Sequence, residues 1–156
     1  MLLAEALALR ADQQKRLKEL STRIQDNARV PDGTAPDEDP EALLREAGEL
    51  AADLMALVQR INRTNASTEA REEPRATVSD LIAERAQAQR MSQLLRAAAQ
   101  AGTRGSSRGF LSRDADATRA TVDVPALQKE ADRWAVRYRE LDVRLQLLNW
   151  STDLLE

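Results

Sequence analysis

Val124, Leu127, Ala131, Trp134, Tyr138, Leu141, Leu145 and Leu148 are separated alternately by three and four residues. An apolar 3–4 pattern sustained over more than three heptads places all eight on one stripe of a helix. Such a stripe is stable only when other helices cover it. The stripe therefore requires partners of the same kind, and three earlier stretches supply weaker versions.

The first runs from about residue 2 to 28, with Leu3, Leu7, Arg10, Gln14, Leu17, Ser21, Ile24 and Ala28 in heptad spacing. Pro31, Gly33 and Pro36 interrupt it, and Asp39-Pro40-Glu41 restarts a helix with an N-cap acid, a first-turn proline and a second acid. The second helix, about 40–66, carries Leu43, Ala47, Leu50, Leu54, Leu57 and Ile61, while Leu44, Ala51 and Val58 widen its stripe toward a second partner. Pro74 punctuates the following link, and Thr77-Val-Ser-Asp80 resembles a capping box with Asp in place of Glu. The third helix, about 78–101, presents Val78, Leu81, Arg85, Ala88, Ser92, Leu95 and Ala99, and Gly102 reads as its stop. Residues 103–122 have no helical period: they form either an irregular excursion or a short β-hairpin around Phe110-Leu111 and Thr121-Val122-Asp123-Val124. The fourth helix, about 125–150, carries the strong stripe.

The expected fold is all-α: one domain of four long antiparallel helices, as a bundle or as paired helical hairpins. A length of 156 residues suits one domain. The only aromatic residues are Phe110, Trp134, Tyr138 and Trp150, whereas strand-rich folds use many more. No stretch approaches the roughly 18 consecutive apolar residues of a membrane span. In the opening segment Glu5 interrupts the apolar run and basic residues follow it, the reverse of a signal peptide, so a cytoplasmic location is expected.

The absence of cysteine and histidine excludes disulfides, thiolate or imidazole metal sites and Ser-His or Cys-His catalytic pairs. The acidic run Asp37-Glu38-Asp39 lacks the ligand spacing of a calcium loop, so neither a metal nor a cofactor is expected. Charge is segregated: eight acids against Arg45 alone between Asp32 and Asp53, and seven arginines against three acids between Leu81 and Val122. These blocks face each other within one chain or meet between copies.

Candidate positions are the polar interruptions. Asn62 continues the flank of Ala51, Met55 and Val58 and is expected to point partly inward, with Asn65 a turn later. The pair suits either a polar ligand pocket or a register-fixing hydrogen bond. Asn149-Trp150 closes the fourth helix, where the indole caps a bundle end or contacts a subunit. Arg10, Gln14, Arg85 and Ser92 occupy stripe positions, and a buried ionic layer joining the arginines to acids such as Glu5 and Asp80 would specify helix order. The loop with Arg104, Arg108 and Arg113 mixes Arg, Gly, Ser and Phe110 as single-strand binders do, although the net charge of −3 argues against nucleic acid.

Leu3-Ala-Glu-Ala-Leu7, Arg10-Ala-Asp12-Gln-Gln-Lys-Arg16, Glu38-Asp-Pro40, Ile61-Asn-Arg-Thr-Asn65, Val122-Asp-Val-Pro-Ala-Leu-Gln128, Arg139-Glu-Leu-Asp142 and Asn149-Trp150 occur in this order. Together they resemble an uncharacterised family of small helical bacterial proteins often labelled "septicolysin". The resemblance spans nearly the whole chain and departs from it between Thr103 and Ala120, where the family's hairpin is more regular. It implies a helical fold and a bacterial cytoplasmic setting, not a mechanism. The functional expectation is a non-enzymatic, self-associating helical scaffold that forms a homo-oligomer. The alternatives are a ligand-binding or carboxylate-dependent hydrolytic protein using Asn62 and Asn65, and a single-strand binder using the arginine loop.

Overall fold

A computed structural model describes residues 1–104 and 119–156, without the Arg104 side chain. The protein is all-α, with helices α1 (Leu3–Asn27), α2 (Pro40–Ser67), α3 (Val78–Arg104) and α4 (Val124–Ser151), and a two-stranded sheet of β1 (Glu69–Arg71) and β2 (Ala76–Thr77). The described chain forms two compact units: residues 1–69 with 148–156, and residues 70–147.

The predicted start signals work as chemistry. Asp39 accepts the amide of Glu41 at 3.0 Å ahead of Pro40, filling one of the orphan donors of α2. Asp80 accepts both the amide and the hydroxyl of Thr77 at 2.8 Å and begins α3. The amide N–H of Thr77 holds the Asp80 carboxyl below its ordinary range, as expected for a carboxylate whose charged form accepts hydrogen bonds.

In the first unit α1 and α2 form an antiparallel hairpin. Arg23 pairs with Glu38 and Arg16 pairs with Glu46 at 2.5 Å, so the number falls along one helix as it rises along the other. Leu3, Ala6, Leu57, Ile61 and Leu154 form the core, with Leu7 packed against it. The α2 stripe is inward at every expected position. The α1 stripe is not, because Ala6, Gln13, Leu20 and Asn27 turn inward while Gln14, Ser21 and Ala28 are exposed. The expected and observed stripes share Leu3, Arg10, Leu17 and Ile24. The alternate positions of the observed stripe lie one residue earlier, on the neighbouring edge of the helix. Two polar atoms of that inward edge, Arg10 Nε and Gln13 Oε1, are buried without a hydrogen-bond partner among the described residues.

Residues 152–156 are held by both helices. Leu3 N donates to Thr152 O at 2.8 Å and Leu154 N to Met1 O at 2.9 Å, giving an antiparallel bridge between Leu2 and Asp153. Thr64 Oγ1 is fully buried, donating to Arg60 O at 2.9 Å and accepting from Leu155 N at 3.0 Å. Arg60 Nε donates to Leu155 O at 3.0 Å, so Leu155 has both backbone groups fixed by α2 side chains.

In the second unit α3 and α4 are antiparallel: Arg85 bonds Asp142 at 2.7 Å, and Ser92 donates to Ala131 O at 3.1 Å. Ala88 and Ala131 are wholly buried, as small residues at a close helix crossing should be. All eight residues of the α4 stripe are buried or half-buried, as are all seven stripe positions of α3. Helix α3 continues through Gly102 instead of stopping there, and Val122 and Val124 approach too closely for a side chain at that position. The observed hairpin joins α2 to α3. Residues 119–123 contain no strand, and Phe110-Leu111 lies outside the described residues.

Candidate functional site

The sequence candidates separate into distinct settings. Asn62 is exposed instead of pointing inward, Asn65 and Asn149 are half-buried, and Trp150 is 67% exposed instead of covered at a bundle end. The inward polar residue of that α2 turn is Thr64, two residues beyond Asn62, and it is occupied by the 152–156 segment. Arg85 is ion-paired as expected, but with Asp142 across the helix pair; Asp80, the proposed partner, is engaged by Thr77. Ser92 is buried and bonded, and Gln14 is exposed. Arg108 and Arg113 lie outside the described residues.

Asn62 nevertheless belongs to a larger pattern. Leu44, Gly48, Ala51, Met55, Val58 and Asn62 are spaced 4, 3, 4, 3 and 4, which is a second heptad stripe on α2. The first stripe, beginning at Leu43, is consumed by the core. The second is open: Leu44 is 56% exposed and Met55 59%, and of the six only Val58 is half-buried. A Cβ placed on Gly48 would meet nothing within 4 Å. An amphipathic helix with two apolar stripes has one more than its own hairpin uses, and the Asn occupies a core-type position of the spare one.

A second feature was invisible in the sequence. The β1–β2 hairpin carries Arg71 against α3, where its Nη1 and Nη2 hold Glu84 at 3.1 and 2.8 Å and its Nε donates to Pro74 O at 2.9 Å. Arg137 Nη2 reaches the same carboxylate at 2.9 Å, and Arg144 donates through Nε and Nη2 to Ala70 O at 2.8 and 2.5 Å. The Arg71 hydrogen bond, followed by that of Arg137, holds the Glu84 carboxyl below its ordinary value, and the same contact raises Arg71. A depressed carboxylate stabilises the folded state above its unfolded pKa, of about 4.3, and that contribution disappears as pH falls through the lower folded value. Acidification below about pH 4.3 should therefore destabilise the wild type. The Glu84→Gln variant should be less stable at neutral pH and show a shallower acid decline, measured by urea midpoints between pH 7 and 3. An equally steep decline in both would remove Glu84 from the account.

Among the described residues, no group of acids is placed to hold a metal ion and no helix is long and apolar enough to cross a membrane. Residues 10–154 match the family described as "Family of unknown function (DUF6847)". The chain belongs to this family. Its fold is also that of a solved structure, "Crystal structure of a functionally unknown conserved protein from Corynebacterium diphtheriae". That protein is 39% identical, with a TM-score of 0.91 and 99% of each chain covered. No curated protein matches the sequence. The expected uncharacterised helical family is thus found, while the "septicolysin" label finds no counterpart in these matches.

Proposed function

We propose that this protein is a non-enzymatic helical interaction module that self-associates through the open stripe of α2. The supporting observation is the 44–48–51–55–58–62 heptad, with its two large apolar side chains more than half exposed. Its residues offer contact surface and one amide, not a nucleophile or base. Gly48 and Ala51 between Leu44 and Met55 allow the backbones of two such helices to approach closely. In a parallel pairing, Asn62 meets its own copy and exchanges hydrogen bonds, the arrangement by which a core Asn fixes register.

Completing the burial of four large side chains across a symmetric pair yields about 4–6 kcal/mol at roughly 1.5–3 kcal/mol for each full burial. That only meets the lower end of the association cost of about 4–15 kcal/mol. These side chains alone therefore do not hold a permanent dimer, and the association is concentration-dependent.

Because the chain lacks cysteine, a single engineered thiol reports the pairing directly. The Asn62→Cys variant should form a disulfide-linked dimer on mild oxidation, whereas Glu49→Cys, exposed on another side of α2, should remain monomeric. Equal cross-linking of the two, or of neither, would contradict the parallel α2 pairing.

A further inference from the structure

Arg71, Arg137 and Arg144 surround a cleft of about 230 Å³ in the second unit, floored by Leu81 and Leu141 and edged by Glu140. We propose that this cleft binds a phosphate group, free or carried as a phosphomonoester.

Three observations carry the assignment. First, the guanidinium groups are held before any ligand arrives. Arg71 has its Nε, Nη1 and Nη2 fixed by Pro74 and Glu84, and Arg144 is fixed by two bonds to Ala70 O. Side-chain ordering, a principal cost of capturing an ion with flexible arginines, is thereby already met within the folded unit. Second, the donors come from different directions. Arg71 projects from the hairpin, and Arg137 and Arg144 stand seven residues apart on one face of α4. A tetrahedral oxyanion accepts hydrogen bonds from several directions, whereas a carboxylate presents two coplanar oxygens. Third, size agrees. Drug-sized ligands occupy roughly 300–1,000 Å³, so this cleft of about 230 Å³ suits a smaller group.

Glu140 gives the proposal a signature of its own sign. It lines the cleft as a carboxylate and opposes an anion there, so neutralising it should strengthen binding, which general loss of structure would not do. Arg137 is the variant of choice for weakening it. Its ion pair is about half exposed and contributes little to stability, whereas Arg144 also anchors β1.

The test is a titration of the full chain with inorganic phosphate, and in parallel with methyl phosphate, at constant ionic strength. The readout is the Nε–Hε signals of Arg71 and Arg144 in nitrogen-correlated NMR spectra; both groups donate to carbonyls. Saturable shifts are expected, weakened about tenfold by Arg137→Gln and strengthened several-fold by Glu140→Gln. Saturation by both ligands marks a site open to phosphomonoesters, and saturation by inorganic phosphate alone marks one that takes the free ion. Shifts that do not saturate, that chloride reproduces, or that Glu140→Gln weakens would overturn the proposal. Should Arg137→Gln fail to fold, Arg137→Lys, which keeps the charge but loses the planar fork, should weaken binding in the same direction.

Discussion

Leu154→Ala should lower the melting temperature by about 10 °C, while Leu155→Ala, one residue away, should leave it nearly unchanged. Leu154 is 8% exposed and sits in the core with Leu3, Ala6, Leu57 and Ile61; Leu155 is 45% exposed and makes its contacts through the backbone. Truncating a buried leucine removes the transfer term and leaves a cavity, together about 2–5 kcal/mol. Each kilocalorie shifts a chain of this size by about 2–4 °C. The loss should also release the backbone pairing of residues 152–156, exposing the Leu3 and Leu155 amides to faster hydrogen exchange. Differential calorimetry and amide exchange check both parts. Equal melting of the two variants would mean that the segment is held by its hydrogen bonds and not by Leu154.

Substituting alanine for glycine should have opposite signs at two positions in the same type of structure. Gly48→Ala should stabilise by about 0.5–1 kcal/mol, since alanine restricts the unfolded chain and improves helix propensity, and the new Cβ meets nothing within 4 Å. Gly102→Ala receives the same propensity gain, but its Cβ would lie 2.8 Å from Val124 Cγ2 and 3.0 Å from Val122 Cγ2. Overpacking of that kind costs about 1–3 kcal/mol, so a net loss of about 1–2 kcal/mol is expected. Adding Val124→Ala to Gly102→Ala should recover part of it, as expected for a local steric coupling. Urea unfolding at protein concentrations below the association range provides the measurement. A stabilised Gly102→Ala protein would show that the β-branched neighbours move aside freely.

These outcomes also explain what could be read from residues alone. The α4 stripe was legible because its eight positions are apolar and unbroken, and every one is shielded in the folded chain. The α2 core stripe and the Asp39 and Asp80 caps were legible for similar reasons: local spacing and local chemistry determine them. In α1, polar residues at three of the eight stripe positions leave two adjacent edges nearly equivalent, and the partner helix decides between Gln13 and Gln14. The 69–77 hairpin was hidden because its strands comprise three and two residues, too few for alternation to register. Leu154 was hidden because it follows the helix and acquires its place only when α1 and α2 close around it.

The candidate positions divide along the same line. Asn62 was recognisable from helical spacing, but spacing cannot say whether a second stripe faces the interior or solvent. The arginine cleft needs the hairpin to bring Arg71 to Glu84 and α4 to bring Arg137 and Arg144 beside them. In the sequence, these residues resemble ordinary solvated charges on helix flanks. Their pattern becomes chemical only after α3 and α4 pair.

Sedimentation equilibrium of the wild type and Met55→Asp across about 1–100 μM reads self-association through α2. The wild-type weight-average mass should rise from 17.3 kDa toward twice that value with concentration, and Met55→Asp should remain at the monomer mass throughout. A wild type fixed at 17.3 kDa over the whole range, or a Met55→Asp protein that associates equally well, would contradict self-association through α2.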